Sequence, residues 1–145
     1  MNIEEQIIPY QKLVKSYKAE LVAVSKTKPI SAIEEAYQAG QRIFGENKVQ
    51  ELVEKYEALQ KDIEWHMIGH LQTNKVKYIA PFVHLIHAVD SIKLLKEINK
   101  QALRNNRTIE CLLQLHISSE ETKFGFSYDQ LTELFKDELF DQFSN

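Results

Sequence analysis

Apolar positions along this chain switch repeatedly between the short continuous runs of buried strands and the three-to-four spacing of amphipathic helices. A polar leading helix is expected from about Ile3 to Lys18. Glu20-Leu-Val-Ala-Val-Ser25 is then a compact apolar run of the kind found in parallel strands covered on both faces, and it ends abruptly at Lys26. Ser31 with Glu34 three residues on makes a capping box, the amphipathic stretch AIEEAYQA follows, and Gly40 sits where a left-handed C-cap belongs. Gln41 to Phe44 reads as a second strand, and Asn47 with Gln50 as the cap of the helix KVQELVEKYEAL. Glu64 to Ile68 is a third strand, followed by Gly69 and a short helix around Asn74 to Ile79 that Pro81 stops. His84 to Val89 is a fourth, with Asp90 or Ser91 capping the long helix IKLLKEINKQALRN. Ile109 to Ile117 is a fifth, and Ser127 with Gln130 opens the last helix, YDQLTELFKDELF.

Strand-helix units with short connections predict an α/β protein with a parallel sheet and right-handed crossovers, either doubly wound or a (β/α)₈ barrel. A doubly wound nucleotide binder carries a glycine-rich turn after its first strand, yet here that turn is Ser25-Lys-Thr-Lys-Pro29. A barrel is favoured. Eight units need upward of about 200 residues, so a 145-residue chain with about five βα units is expected to be an incomplete (β/α)₈ TIM barrel. Residues 1–145 read as the N-terminal part of one barrel domain, and the sequence as a piece of a longer protein. Such a slice leaves open sheet edges, through which it would form a homo-oligomer.

Composition narrows the classes. With 43% hydrophobic and 27% charged residues the chain has enough apolar material for a real core. No apolar run reaches membrane-spanning length and MNIEEQIIPY lacks the features of a secretory signal, so a cytoplasmic protein without membrane contact is expected. The net charge of -3 is spread without a basic block, which argues against a nucleic-acid surface. The single cysteine, Cys111, lies inside the apolar run ECLLQLHI and reads as a strand residue, which removes disulfides and cysteine-ligated metals. His66 and His70 are four apart, but Gly69 between them and the lack of an adjacent glutamate do not make a metalloprotease signature, and no metal is expected.

In parallel α/β architectures reactive residues collect at the C-terminal ends of strands. Here that rule selects Lys26, Glu46, Asn47, His66, Gly69, His70, Asp90 and the stretch His116 to Lys123. A lysine closing a buried strand either reaches water or loses its charge. A neutral amine is what imine chemistry requires, and desolvation beside a second cation such as Lys28 is expected to favour it.

The segments AVSKTKP, FGENKVQE, EWHMIGHLQTNK, HAVDS and SSEETKFGF, in this order and spacing, resemble the pyridoxal phosphate homeostasis protein family. That family is similar to the N-terminal barrel of alanine racemase, a pyridoxal phosphate enzyme of fold type III. The resemblance implies that the chain binds pyridoxal 5′-phosphate (PLP) as a Schiff base on Lys26. It implies further that Asn47 lies near the cofactor ring, that His66 and Gly69 line the pocket floor, and that Lys123 stands by the barrel mouth. Asn47 serves equally well as a helix cap, His66 as a core histidine and Lys123 as a loop lysine. The chain departs from the family pattern at His116, where asparagine is usual, on one wall of the implied pocket.

A PLP site also needs a phosphate cradle, normally backbone N–H groups at a glycine-rich turn or helix N-terminus. The four glycines here are not clustered, and in the family the cradle belongs to a C-terminal stretch beyond this sequence. The resemblance implies a cofactor carrier that serves intracellular PLP homeostasis, has no reaction of its own, and hands PLP to apo-enzymes. The alternatives are a PLP-dependent amino-acid racemase and a Schiff-base lyase that uses Lys26 without cofactor.

Overall fold

The computed structural model describes residues 2–117, 124–136 and 143. Helices and strands alternate as α1 (Ile3–Ser16), β1 (Ala23–Val24), α2 (Ile30–Gln38), β2 (Ile43–Glu46), α3 (Val49–Ala58) and β3 (Glu64–Met67). A 3₁₀ turn (Thr73–Lys75) then runs into α4 (Val76–Ile79), followed by β4 (Leu85–Val89), α5 (Ile92–Arg104), β5 (Glu110–Leu113) and α6 (Tyr128–Lys136). Among the described residues no helix is long and apolar enough to cross a membrane.

The strands form one parallel sheet in the order β1-β2-β3-β4-β5. Strictly sequential order belongs to a barrel, because a doubly wound sheet must reverse its direction at a switch point. Right-handed crossovers then place the connecting helices on one side and leave the other as the concave inner wall. Burial follows the same parity: Phe44, Trp65, Met67 and Ile86 are essentially inaccessible beneath the helices, while Val24 and Leu112 on the opposite face are 52% and 50% exposed. The expected incomplete α/β barrel of five βα units is therefore the fold observed.

The apolar core lies between sheet and helices, where Ile33, Leu52, Val76, Ile79, Leu94 and Ile98 meet the outer strand residues. Each such side chain contributes about 1.5–3 kcal/mol on full burial. Gly40, at φ +89°, ends α2 in a Schellman arrangement: its N–H bonds Tyr37 O at 2.9 Å and the Gln41 N–H bonds Ala36 O at 3.0 Å. Ser91 Oγ accepts the Leu94 N–H at 3.3 Å at the start of α5. Ser127 and Gln130 form the anticipated reciprocal capping box, with bonds of 3.1 and 2.9 Å.

Two other caps differ from expectation. Pro29, in extended backbone, occupies the N-cap position of α2, so Ser31 falls inside the helix and makes no cap. The fixed φ of proline makes it a ready entry to the first turn, which therefore starts earlier than the hydroxyl pattern suggests. Likewise Lys48, not Asn47, is the N-cap residue of α3, and its side chain makes no cap hydrogen bond. The β2 ladder holds the chain extended through Glu46, whose carbonyl accepts the Ile68 N–H at 2.8 Å, and delays the turn. The first strand is also shorter than its apolar run, only Ala23–Val24.

Candidate functional site

Lys26 follows β1 at the C-terminal rim of the sheet. It occupies the second position of a β-turn closed by the Lys28 N–H to Ser25 O bond of 3.0 Å. The third position is Thr27 at φ 63°, a conformation that turns with positive φ normally assign to glycine. A β-branched residue is costly there, so the turn must be held by its surroundings.

What holds it is a buried ionic cluster beneath the turn. Lys55 of α3 places its Nζ 2.8 Å from Ser25 O, 2.7 Å from Glu46 Oε1 and 2.7 Å from Glu51 Oε1. Ser25 Oγ donates to the same Glu46 oxygen at 2.5 Å, and Glu51 Oε1 accepts the Thr27 N–H at 2.6 Å. The Lys55 and Glu46 side chains are 6% and 0% exposed. Lys55 first, then the Thr27 amide, holds the Glu51 carboxyl below the usual carboxylate range. Of this cluster's side chains the strand-end rule singles out only Glu46. The available signal was helical spacing: Lys55 lies on the same stripe as Val49, Leu52 and Leu59, where a lysine must be paired.

Lys26 itself is exposed, which corrects the expected desolvated amine: among the described residues nothing covers that end of the inner wall. The neighbouring strands bring Asn47 and Gly69 to the same rim. An added Cβ on Gly69 would lie 2.6 Å from Asn47 O and 2.8 Å from Asn47 Cα, so glycine is required by the close backbone approach between the β2 and β3 ends. His66 pairs with Gly45, which pairs with Val24. It therefore sits two residues down the wall from the level of Lys26 and Asn47, about 7 Å deeper. His66 is 3% exposed, with Nδ1 3.0 Å from His87 Nε2. Burial, then the neighbouring His87 and His84, pushes its pKa down to about 4, so the imidazole is neutral. At the rim beyond Gly69, His70 Nδ1 lies 3.0 Å from Asp90 Oδ2 and its ring stacks on Phe124 at 4.2 Å. Lys123 and most of the SSEETKFGF segment lie outside the described residues. Cys111 is half-buried, and burial pushes its thiol up to about 12, in keeping with a strand residue rather than a nucleophile.

Residues 2–140 match the family described as alanine racemase, N-terminal domain. The chain belongs to that family. Within it, the chain is 48% identical over 119 residues to the pyridoxal phosphate homeostasis protein of Aquifex aeolicus, which covers 81% of this chain and 52% of the relative. It is 41% identical over 148 residues to the protein of the same name from Haemophilus influenzae, covering 94% of this chain and 62% of that one. The chain thus spans about half to three fifths of the length of these curated relatives. The structure of PipY from Synechococcus elongatus with PLP bound superposes at a TM-score of 0.85 with 34% identity, over 93% of this chain and 63% of that one. Alanine racemase from Bartonella henselae shares the racemase-domain fold at a TM-score of 0.73, with 15% identity.

Proposed function

We propose that this chain is the Lys26-bearing part of a PLP-binding protein that stores the cofactor and passes it to cytoplasmic apo-enzymes. The observation that carries this reading is the braced turn: an exposed lysine, with no hydrogen bond or ion pair among the described residues, stands on a strained turn that an ionic cluster holds at the C-terminal rim of a racemase-type barrel. The names of the relatives and the PLP-bound PipY structure support it.

The residues present fit the reactive end of the group. When bound, the cofactor supplies an aldehyde that condenses with a primary amine, releasing water. Lys26 offers the amine, and the Lys55 cluster fixes the turn that carries it, so little conformational freedom is lost on engagement. Asn47 and Gly69 form the adjoining rim, with no side chain at Gly69 to obstruct a flat ring. His66 closes the floor as a neutral imidazole. Lys123, which lies outside the described residues, is the second cation that the family resemblance implies at the mouth. A glycine-rich phosphate cradle is not found among the described residues, so affinity in this chain alone is expected to be low and to rise when the remaining barrel strands, or a second copy at an open edge, complete the wall.

The test is titration of the purified protein with PLP, followed by borohydride reduction and peptide mass spectrometry, beside Lys26→Ala. Modification of Lys26 at one equivalent, abolished in the variant, is expected. Scattered labelling of many lysines at equal rates would refute the site. Transfer of cofactor to an apo-enzyme without turnover of alanine separates a carrier from a racemase, and an adduct formed with a carbonyl substrate in the absence of PLP would indicate a lyase.

A further inference from the structure

At the opposite end of the sheet, the N-terminal ends of β3, β4 and β5 bring together Glu64, His84 and Glu110, with His66 rising behind them on β3. His84 Nε2 is 3.6 Å from Glu64 Oε2 and 4.0 Å from Glu110 Oε2. The His84 and His66 rings are nearly parallel, with centroids 5.6 Å apart and an interplanar angle of 6°. One ligand atom from each of Glu64, His66 and His84 can be chosen so that all lie within 4.8 Å of one another.

His66 is the informative member. Its Nδ1 is engaged with His87, but its Nε2 is buried and has no hydrogen-bond partner among the described residues. A buried nitrogen left without a partner is costly and calls for an explanation. If the Nδ1–H donates to His87 Nε2, the Nε2 lone pair is free to ligate. That is the arrangement of metal-bound histidines, whose second ring nitrogen is oriented by an outer partner.

We infer that Glu64, His66 and His84, with Glu110 able to close a fourth position, form a binding site for a divalent first-row transition ion of the zinc type. Two imidazoles and a carboxylate match that class and disfavour magnesium or calcium, which take oxygen ligands. Tetrahedral zinc with bonds near 2.0–2.1 Å places its ligand atoms roughly 3.4 Å apart. The His84–Glu64 separation is already close to this, and their side chains, 44% and 47% exposed, are free to close the remaining gap toward the fixed His66. The ion would clamp β3 to β4, and through Glu110 to β5, at the end of the sheet remote from Lys26. No two of these ligands stand at a metalloprotease-like spacing, because Glu64 and Glu110 begin β3 and β5 while His84 immediately precedes β4; the expectation of no metal weighs only the lone cysteine and the His66–His70 pair.

The experiment is calorimetric titration of chelator-treated, PLP-free protein with zinc chloride, and with cobalt chloride followed by visible absorption. One equivalent is expected to bind, with the d–d bands of four- or five-coordinate cobalt and a rise in Tm. Both His84→Ala and Glu64→Gln change exposed side chains and should leave the fold intact by circular dichroism, and each should weaken binding by at least about tenfold to a hundredfold. His70→Ala, at the far rim, should leave zinc affinity unchanged. The inference is overturned by the absence of saturable binding, or by unaltered binding in His84→Ala. PLP labelling of Lys26 in His84→Ala reports on the other site separately.

Discussion

Replacing Lys55 by methionine tests the claim that a buried ammonium organises the turn that carries Lys26. The substitution keeps length and volume nearly constant, so no cavity confuses the result. It removes three hydrogen bonds of 2.7–2.8 Å and leaves the Glu46 carboxylate, 0% exposed, with the Ser25 hydroxyl as its one remaining side-chain donor among the described residues. Removing one partner of a buried pair typically costs about 3–5 kcal/mol, a large share of the roughly 5–15 kcal/mol that stabilises a domain. For a chain of this size that corresponds to a fall in Tm of about 10 °C. Urea unfolding followed by the fluorescence of Trp65, the single tryptophan and fully buried, measures the loss. Adding Glu46→Gln to Lys55→Met should recover much of it, since no uncompensated charge then remains. A loss below about 1 kcal/mol, or a double variant no better than the single one, would show that the cluster does not hold the turn.

Other consequences are more local. Gly69→Ala places a Cβ against Asn47 backbone atoms at 2.6–2.8 Å and should cost at least about 2 kcal/mol while weakening PLP labelling; an alanine variant as stable as the parent would contradict the close approach. The folded-state pKa of His66 is depressed to about 4 from 6.5, so the unfolded chain binds this proton first and stability, full above pH 6.5, declines toward pH 4. The difference is worth roughly 3 kcal/mol, and in chelator the pH slope of unfolding free energy should flatten in His66→Asn; an unchanged slope would reject it. Cys111, its thiol pushed up to about 12, should react with an aromatic disulfide slowly in the native protein and promptly in denaturant, and equal rates would show that the strand is not covered.

The alternation of strands and helices and the punctuation at Gly40, Pro81, Ser91 and Ser127 were legible in the sequence because each depends on periodicity or on a cap within one turn, and the barrel class because the turn after the first strand lacks the glycines of a doubly wound nucleotide binder. Lys26 stands out in the sequence as a charged residue ending an apolar run, and the structure sets it just after β1 at the C-terminal rim of the sheet. The helix starts after Pro29 and Lys48 were not, since backbone entry set by proline and by the sheet ladder overrode the polar side chains that ordinarily mark a cap. The partners of the Lys26 turn also escaped: Lys55 is one of two lysines in KVQELVEKYEAL until α3 docks on β2 and β3 and removes it from water. Glu64, His66, His84 and Glu110 were invisible as a group, because nothing in a linear pattern records which strand ends become neighbours. Local preferences determined the elements and their order; only packing decided which charges were buried together, because pairing across strands depends on register and docking rather than on spacing along the chain.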